Sequence, residues 1–265
     1  MGGNEAIYLR STIAYCAHCE KTEFARIMAR ADGVFMERVC PAKGTARVKI
    51  AKNAAWYTAR MSRPRVVEAD GSGKPSQKGC PFDCGPCQWH TGKLHLPVFS
   101  ITNDCNLDCP ICFTYNRPDH KYFKTVAETE QIVDHILARS GGVQLINLTG
   151  GEPTLHPDLF AIFDACRREG IGRITMNTNG IKIGGDRRFA ERIKDAGVQV
   201  VLSLDTLNPT KSLLIHGKDI TRAKRKCLEN LEALDIPTTI LPVCIKGCNE
   251  ADVLDIVHTH LRKPF

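Results

Sequence analysis

No apolar run in this chain of 265 residues approaches the length that a membrane-spanning helix needs, which excludes a helical membrane domain. The opening residues, MGGNEAIYLR, lack the apolar core of a secretory signal, so the expected location is the cytoplasm. Acidic residues are missing from Ala42 to Val67, where Lys43, Arg47, Lys49, Lys52, Arg60, Arg63 and Arg65 are all basic. Such a stretch suits an anionic substrate, an acidic partner, a lipid surface or nucleic acid, although a plain solvated face accounts for it more simply. Aromatic residues are scarce, at 6%, and within the basic stretch only Trp56 and Tyr57 are available to stack on bases. Nucleic acid is therefore a thinly supported partner. The rest of the composition, 43% hydrophobic and 25% charged, is that of an ordinary globular protein, long enough for one large domain and a small one.

Cysteine, by contrast, is abundant, with 13 in the chain. Clustered cysteines in a chain without a signal read as metal ligands and not as disulfides. Cys105, Cys109 and Cys112 form a C-x3-C-x2-C triplet directly after the strand-like run Leu96 to Thr102. Three such thiolates can hold three irons of a 4Fe–4S cluster and leave the fourth open to a small chelating molecule. A structural zinc site more often pairs one C-x2-C with a second, distant pair. A second triplet, Cys80, Cys84 and Cys87, follows the linker-like GSGKPSQKG and precedes His90. It fits an auxiliary 4Fe–4S cluster or a metal knuckle. His90 is either a fourth ligand, as imidazole is in Rieske centres, or an ordinary surface histidine. Cys16 and Cys19, with Cys40 after the strand-like Gly33 to Met36, look like a zinc-ribbon or rubredoxin-type site. Three ligands are visible where a tetrahedral ion wants four, and zinc and mononuclear iron are not separable. His18, between the first two cysteines, reads as an exposed loop residue.

Beyond the last triplet the chain alternates. Strand candidates at Val143–Leu148, Arg173–Asn177, Val198–Leu204 and Thr238–Val243 are separated by helical patterns at about 125–139, 158–169, 186–196 and 221–234. That order implies βαβ units and a parallel sheet, whose ligands bind at the C-terminal strand ends. Gly150-Gly151-Glu152-Pro153 stands at one such end, where glycine lets backbone approach a ligand closely. Asn177, Asn179 and Gly180 follow another, and Ser203 and Asp205 a third, though Asn-Gly is first a turn signal. Cys244 and Cys248 at the last strand end are further ligands, substrate-side thiols or plain loop residues. Cys166 and Cys227 fall within helical patterns and read as core.

Taken together, the Cys105 triplet, the GGEP turn and the strand–helix alternation resemble the radical S-adenosylmethionine (SAM) superfamily. The resemblance implies that the open iron chelates SAM and that an electron cleaves it to a 5′-deoxyadenosyl radical. It places Gly150, Gly151 and Glu152 near the cofactor and carries Asn177 and Ser203 over as further SAM contacts. The Cys105 triplet, which follows a strand and precedes GGEP by one helix and one strand, takes the SAM role. Cys40-Pro41-Ala42-Lys43-Gly44, the stretch from Gly79 to Cys87 and that from Cys105 to Phe113 further resemble a subgroup related to class D methyltransferases and the archaeal tetraether-lipid synthase. Two positions depart from the pattern: Ile111 replaces a common aromatic, and Lys43 replaces the usual histidine, which removes any metal role there.

The expected fold is α/β: a partial (βα) barrel over 96–265, a linker with the auxiliary motif over 67–95, and a cysteine-rich metal-binding module over 1–66. Five strands are counted where the family usually builds six, so the barrel is expected to be truncated at the C-terminus. The expected function is a radical SAM enzyme making carbon–carbon bonds, most simply by methyl transfer. Its substrate would be a small molecule or lipid, and a ferredoxin- or flavodoxin-like protein its reductant. The competing expectation is a truncated, non-catalytic metal-binding or interaction protein.

Overall fold

A computed structural model describes residues 6–16, 18–61, 75, 94–114 and 120–260, arranged as two compact units, Met1–Thr91 and Gly92–Phe265. The triplet Cys80, Cys84 and Cys87, with His90, lies outside the described residues, as does most of the linker expected over 67–95.

In the first unit four strands, β1 (Ile7–Cys16), β2 (Lys21–Arg30), β3 (Gly33–Cys40) and β4 (Gly44–Ala51), form an antiparallel meander in chain order. Alternation along β2 buries Ala25, Ile27 and Ala29 on one face, as the two-residue strand period requires. Ile27, Ala29 and Val34 form a small core, which Ala54 and Tyr57 of helix α1 (Ala54–Met61) help to cover. The sequence pattern indicated only the Gly33–Met36 part of this sheet. Two bases of the acid-free stretch are paired here: Arg47 with Glu37 at 2.8 Å and Lys49 with Asp32 at 2.8 Å. The second pair is exposed on both sides and contributes little to stability.

The second unit is a five-stranded, wholly parallel sheet in chain order: β5 (Val98–Thr102), β6 (Ile146–Gly150), β7 (Ile174–Thr178), β8 (Gln199–Ser203) and β9 (Thr238–Leu241). The connections carry helices α2 (Val126–Ser140), α3 (Leu159–Cys166), α4 (Ile181–Gly185), α5 (Arg187–Asp195), α6 (Pro209–His216) and α7 (Thr221–Ala233), and α8 (Glu250–His260) follows β9. This is the expected α/β, partial-barrel arrangement. Ile146, Leu148, Met176, Val200 and Leu202 are buried in one core with Ile162 and Phe163 of α3 and Ile193 of α5. Intervening strand residues such as Asn147, Thr149, Asn177 and Ser203 are only half-buried, so polar side chains occupy the other face of the sheet. Cys166 and Cys227 belong to the core, and burial pushes both thiols up to about 12.

Local chemistry sets the helix ends. Thr125 and Glu128 form a reciprocal capping box at the start of α2. The Thr125 N–H and its neighbours hold the Glu128 carboxyl down at about 2. Helices α4 and α6 were not legible in the apolar pattern. In α6 the apolar residues Leu213, Leu214 and Ile215 are consecutive instead of helically spaced. Its real signals are Asn208, which caps Lys211 N–H, Pro209 at the first turn, and left-handed Gly217 at the end.

Candidate active site

The segment after β5, Asn103 to Cys112, carries the Cys105 triplet across the C-terminal end of the sheet, and three sets of contacts fix it there. The first comes from the turn after β6. Gly151 N–H donates to Thr102 O at 2.8 Å and Glu152 N–H to Asp104 O at 2.7 Å. A Cβ on Gly150 would lie 2.1 Å from Thr102 O, and one on Gly151 would lie 2.3 Å from Asp104 O. Gly150 also has φ +147, a region essentially reserved for glycine. The paired glycines thus serve close approach, and what approaches is the cysteine-bearing segment itself.

The second set comes from β7: Asn179 Nδ2 donates to Asn106 Oδ1 at 2.7 Å. The third comes from the end of α6, where Lys218 Nζ donates to Asn106 O at 3.4 Å. A Cβ on Gly217 would lie 3.1 Å from Asp108 O. Lys121 pairs with Asp104 at 2.9 Å, and Asn103 bonds His120 O and Tyr122 N–H. A cavity of about 620 Å³ lies along this segment, lined by Cys105, Asn106, Asp108, Lys121, His216 and Lys218 among others.

Glu152 is 1% exposed, and its carboxylate is the knot of the turn. Oε1 accepts from Thr154 N–H at 3.1 Å, the Thr154 hydroxyl at 2.6 Å and the Thr178 hydroxyl at 2.6 Å. Oε2 accepts from Asn179 N–H at 2.7 Å. This carboxylate ties the end of β6 to the end of β7, which the sequence alone did not reveal. Asn177, two residues before Asn179, keeps a buried Oδ1 without a hydrogen-bond partner. A buried unpaired carbonyl is costly and is the mark expected of a group that meets a ligand. Ser203 is half-buried, and its carbonyl accepts from Lys224 Nζ.

Burial raises the pKa of Cys105, and it pushes Cys109 up to about 11, with the neighbouring thiols adding to the effect. Both are therefore protonated until a soft metal displaces the proton. Among the described residues, only Cys16, Cys19 and Cys40 bring three ligand atoms within 4.8 Å of one another. The thiols of the Cys105 triplet are not gathered that tightly, and a four-iron cluster does not ask it of them, because each thiolate binds a different iron.

Cys109 has a neighbour that the sequence reading missed. His216, at the end of α6, is 6% exposed, and its Nδ1 lies 3.8 Å from Cys109 Sγ. Asp205 Oδ2 lies 3.7 Å from His216 Nε2, and Asp205 Oδ1 accepts from Val243 N–H at 2.6 Å. In the metal-free chain burial and Lys224 hold the His216 pKa below its usual range, with Asp205 opposing them. Lys224 is 1% exposed; burial lowers its pKa, against the pull of Asp205. The Asn208–Pro209 and Gly217 signals of α6 were the clue available in the sequence.

In the first unit, Cys16 ends β1, Cys19 lies in the turn before β2 and Cys40 ends β3, with the Cys19 and Cys40 sulfurs 3.1 Å apart. The Cys19 N–H, with Arg38 beside it, lowers the Cys16 thiol to about 6, while Cys40 raises Cys19 to about 11. Three close thiols of which one ionises readily suit a thiophilic ion. The turn after Cys40 carries Lys43. Cys244 is exposed, and Cys248 N–H donates to Ile245 O within the turn after β9.

A family model described as the Radical SAM superfamily matches residues 99–259. The chain is 26% identical over 251 residues to a 7,8-dihydro-6-hydroxymethylpterin dimethyltransferase of Methanocaldococcus jannaschii, covering 94% of this chain and 49% of that protein. It is 32% identical over 180 residues to a GTP 3',8-cyclase of Alkaliphilus oremlandii, covering 66% and 55% respectively. The chain thus spans about half the length of these curated relatives. Among solved structures, Streptococcus suis SuiB bound to S-adenosylmethionine shares the fold, with a TM-score of 0.52 at 24% identity over 63% of this chain and 37% of that one.

Proposed function

The chain belongs to the radical SAM superfamily, and on that premise we propose that it builds a carbon–carbon bond at an unactivated carbon, most simply by methylation. Cys105, Cys109 and Cys112 hold three irons of the 4Fe–4S cluster. The turn at Gly150, Gly151 and Glu152, together with Asn177 and Ser203, lines the SAM site. When bound, cluster and SAM supply the 5′-deoxyadenosyl radical that opens a C–H bond.

The residues of the chain provide position. Gly150 and Gly151 admit the cysteine segment against the turn, Glu152 keeps that turn rigid, and Asn177 offers an unpaired acceptor. The observation that carries this reading is the docking of the cysteine segment on the GGEP turn through contacts only glycine permits. Methylation is favoured because the alignment to the dimethyltransferase runs through 94% of the chain, including the cysteine-rich first unit. In that unit Cys16, Cys19 and Cys40 hold zinc or a mononuclear iron, and Cys80, Cys84 and Cys87 carry an auxiliary 4Fe–4S cluster. The substrate is a small molecule or lipid, and a ferredoxin- or flavodoxin-like protein supplies electrons.

The test is anaerobic reconstitution with iron and sulfide, followed by reductant and methyl-deuterated SAM in the presence of cell extract. Release of 5′-deoxyadenosine and transfer of label to carbon in a product are expected. A reconstituted protein that holds one zinc and shows no SAM-dependent signal would remove the proposal.

A further inference from the structure

His216 has no role in the scheme above, yet it is a buried polar side chain packed against Cys109. Its position is set by backbone on both sides. Helix α6 ends at His216, left-handed Gly217 turns the chain at φ +75, and a Cβ added at Gly217 would lie 3.1 Å from the carbonyl oxygen of Asp108, one residue before Cys109. Nδ1 faces Cys109 Sγ at 3.8 Å, within hydrogen-bonding reach of sulfur. Nε2 is buried without a hydrogen-bond partner and faces Asp205 Oδ2 at 3.7 Å. Asp205 is itself fixed, since its other oxygen accepts from Val243 N–H.

Once Cys109 ligates iron, its sulfur is a thiolate that accepts, so a hydrogen bond across the 3.8 Å contact puts the ring N–H on Nδ1. An N–H aimed at a cluster sulfur stabilises the reduced cluster, with its extra electron, more than the oxidised one. Partners of this kind outside the ligand set tune a metal centre while binding nothing themselves.

We propose that His216 donates from Nδ1 to the Cys109 thiolate and thereby raises the midpoint potential of the cluster. This rests on the reading that Cys105, Cys109 and Cys112 hold the cluster. His216 is a positioning and tuning residue.

The experiment is an anaerobic redox titration of the reconstituted, SAM-free full chain, followed by EPR of the reduced cluster with iron counted for each sample. His216→Leu removes the donor and keeps an apolar filler. His216→Asn keeps an amide N–H close to the place of Nδ1. At the potential where the parent is half reduced, the reduced-to-oxidised ratio of the leucine variant is expected to fall about tenfold, which is about 59 mV for one electron. The asparagine variant is expected to stay within about threefold of the parent on the same scale. An unchanged midpoint in a fully loaded leucine variant overturns the proposal.

A second measurement needs no variant. Pulsed EPR of the parent grown with ¹⁵N-histidine is expected to show a nitrogen coupling to the reduced cluster, and its absence overturns the proposal equally. A parent that assembles no 4Fe–4S cluster at all is a different result, because it refutes the assignment of the Cys105 triplet and not the hydrogen bond.

Discussion

Replacing Glu152 by glutamine tests whether the GGEP turn is held by its own carboxylate. The side chain keeps its size, so any loss is electrostatic. With the amide oxygen in the place of Oε1, the three donors from Thr154 and Thr178 keep an acceptor, but the amide nitrogen then faces Asn179 N–H. One hydrogen bond to a buried charge is lost outright, at about 1.5–3 kcal/mol. The other three weaken as the acceptor becomes neutral. The expected cost is about 2–4 kcal/mol, which for a unit of this size lowers the melting temperature by about 4–16 °C. Thermal unfolding of the metal-free protein under reducing conditions, followed by circular dichroism, reads this directly. Thr178→Val, which removes one donor and leaves Gly180 N–H without its hydroxyl partner, should cost less, and Glu152→Ala, which strips all of these bonds, should cost more. A Glu152→Gln protein within about 0.5 kcal/mol of the parent, the range of an ordinary surface substitution, would refute the argument.

Gly151→Ala forces a Cβ to within 2.3 Å of Asp104 O, so either the turn or the cysteine segment must move. A stability loss of about 1–3 kcal/mol is expected, with reduced iron retention after reconstitution read by iron assay. His156 donates from Nε2 to Lys124 O and accepts at Nδ1 from Asp158 N–H, which fixes the neutral ring, and burial lowers its pKa below 6.5. The folded state then binds fewer protons than the unfolded one. Its contribution is complete above pH 6.5 and is lost as the pH falls through the lower folded value. Urea unfolding should therefore show the stability gap between parent and His156→Gln narrowing as the pH drops below 6.5. Cys40→Ser should abolish binding of the metal proposed for Cys16, Cys19 and Cys40 while leaving intact the iron proposed for the Cys105 triplet, as measured by elemental analysis of each variant beside the parent.

The sequence alone determined the features carried by short-range chemistry. Cysteine spacing marked the triplets as candidate ligand sets because thiols on one short loop can reach a shared metal centre, and the apolar strands separated by helices dictated a parallel sheet. It located all five strands of that sheet to within a few residues; the β6 expectation began three residues early because Val143 makes only an isolated bridge to Ile171. It did not reveal the antiparallel sheet of the first unit beyond part of β3, since β1, β2 and β4 mix charged and apolar residues with little contrast. Only the tertiary structure decided what the glycines of GGEP admit, because Thr102 and Asp104 reach Gly150 and Gly151 through pairing of strands far apart in the chain. It also decided that Glu152 joins two strand ends, and that His216, 107 residues from Cys109, lies beside it. Spacing fixes which atoms can share a metal. Which buried polar groups meet around that metal depends on how distant segments pack, and a linear pattern does not carry that information.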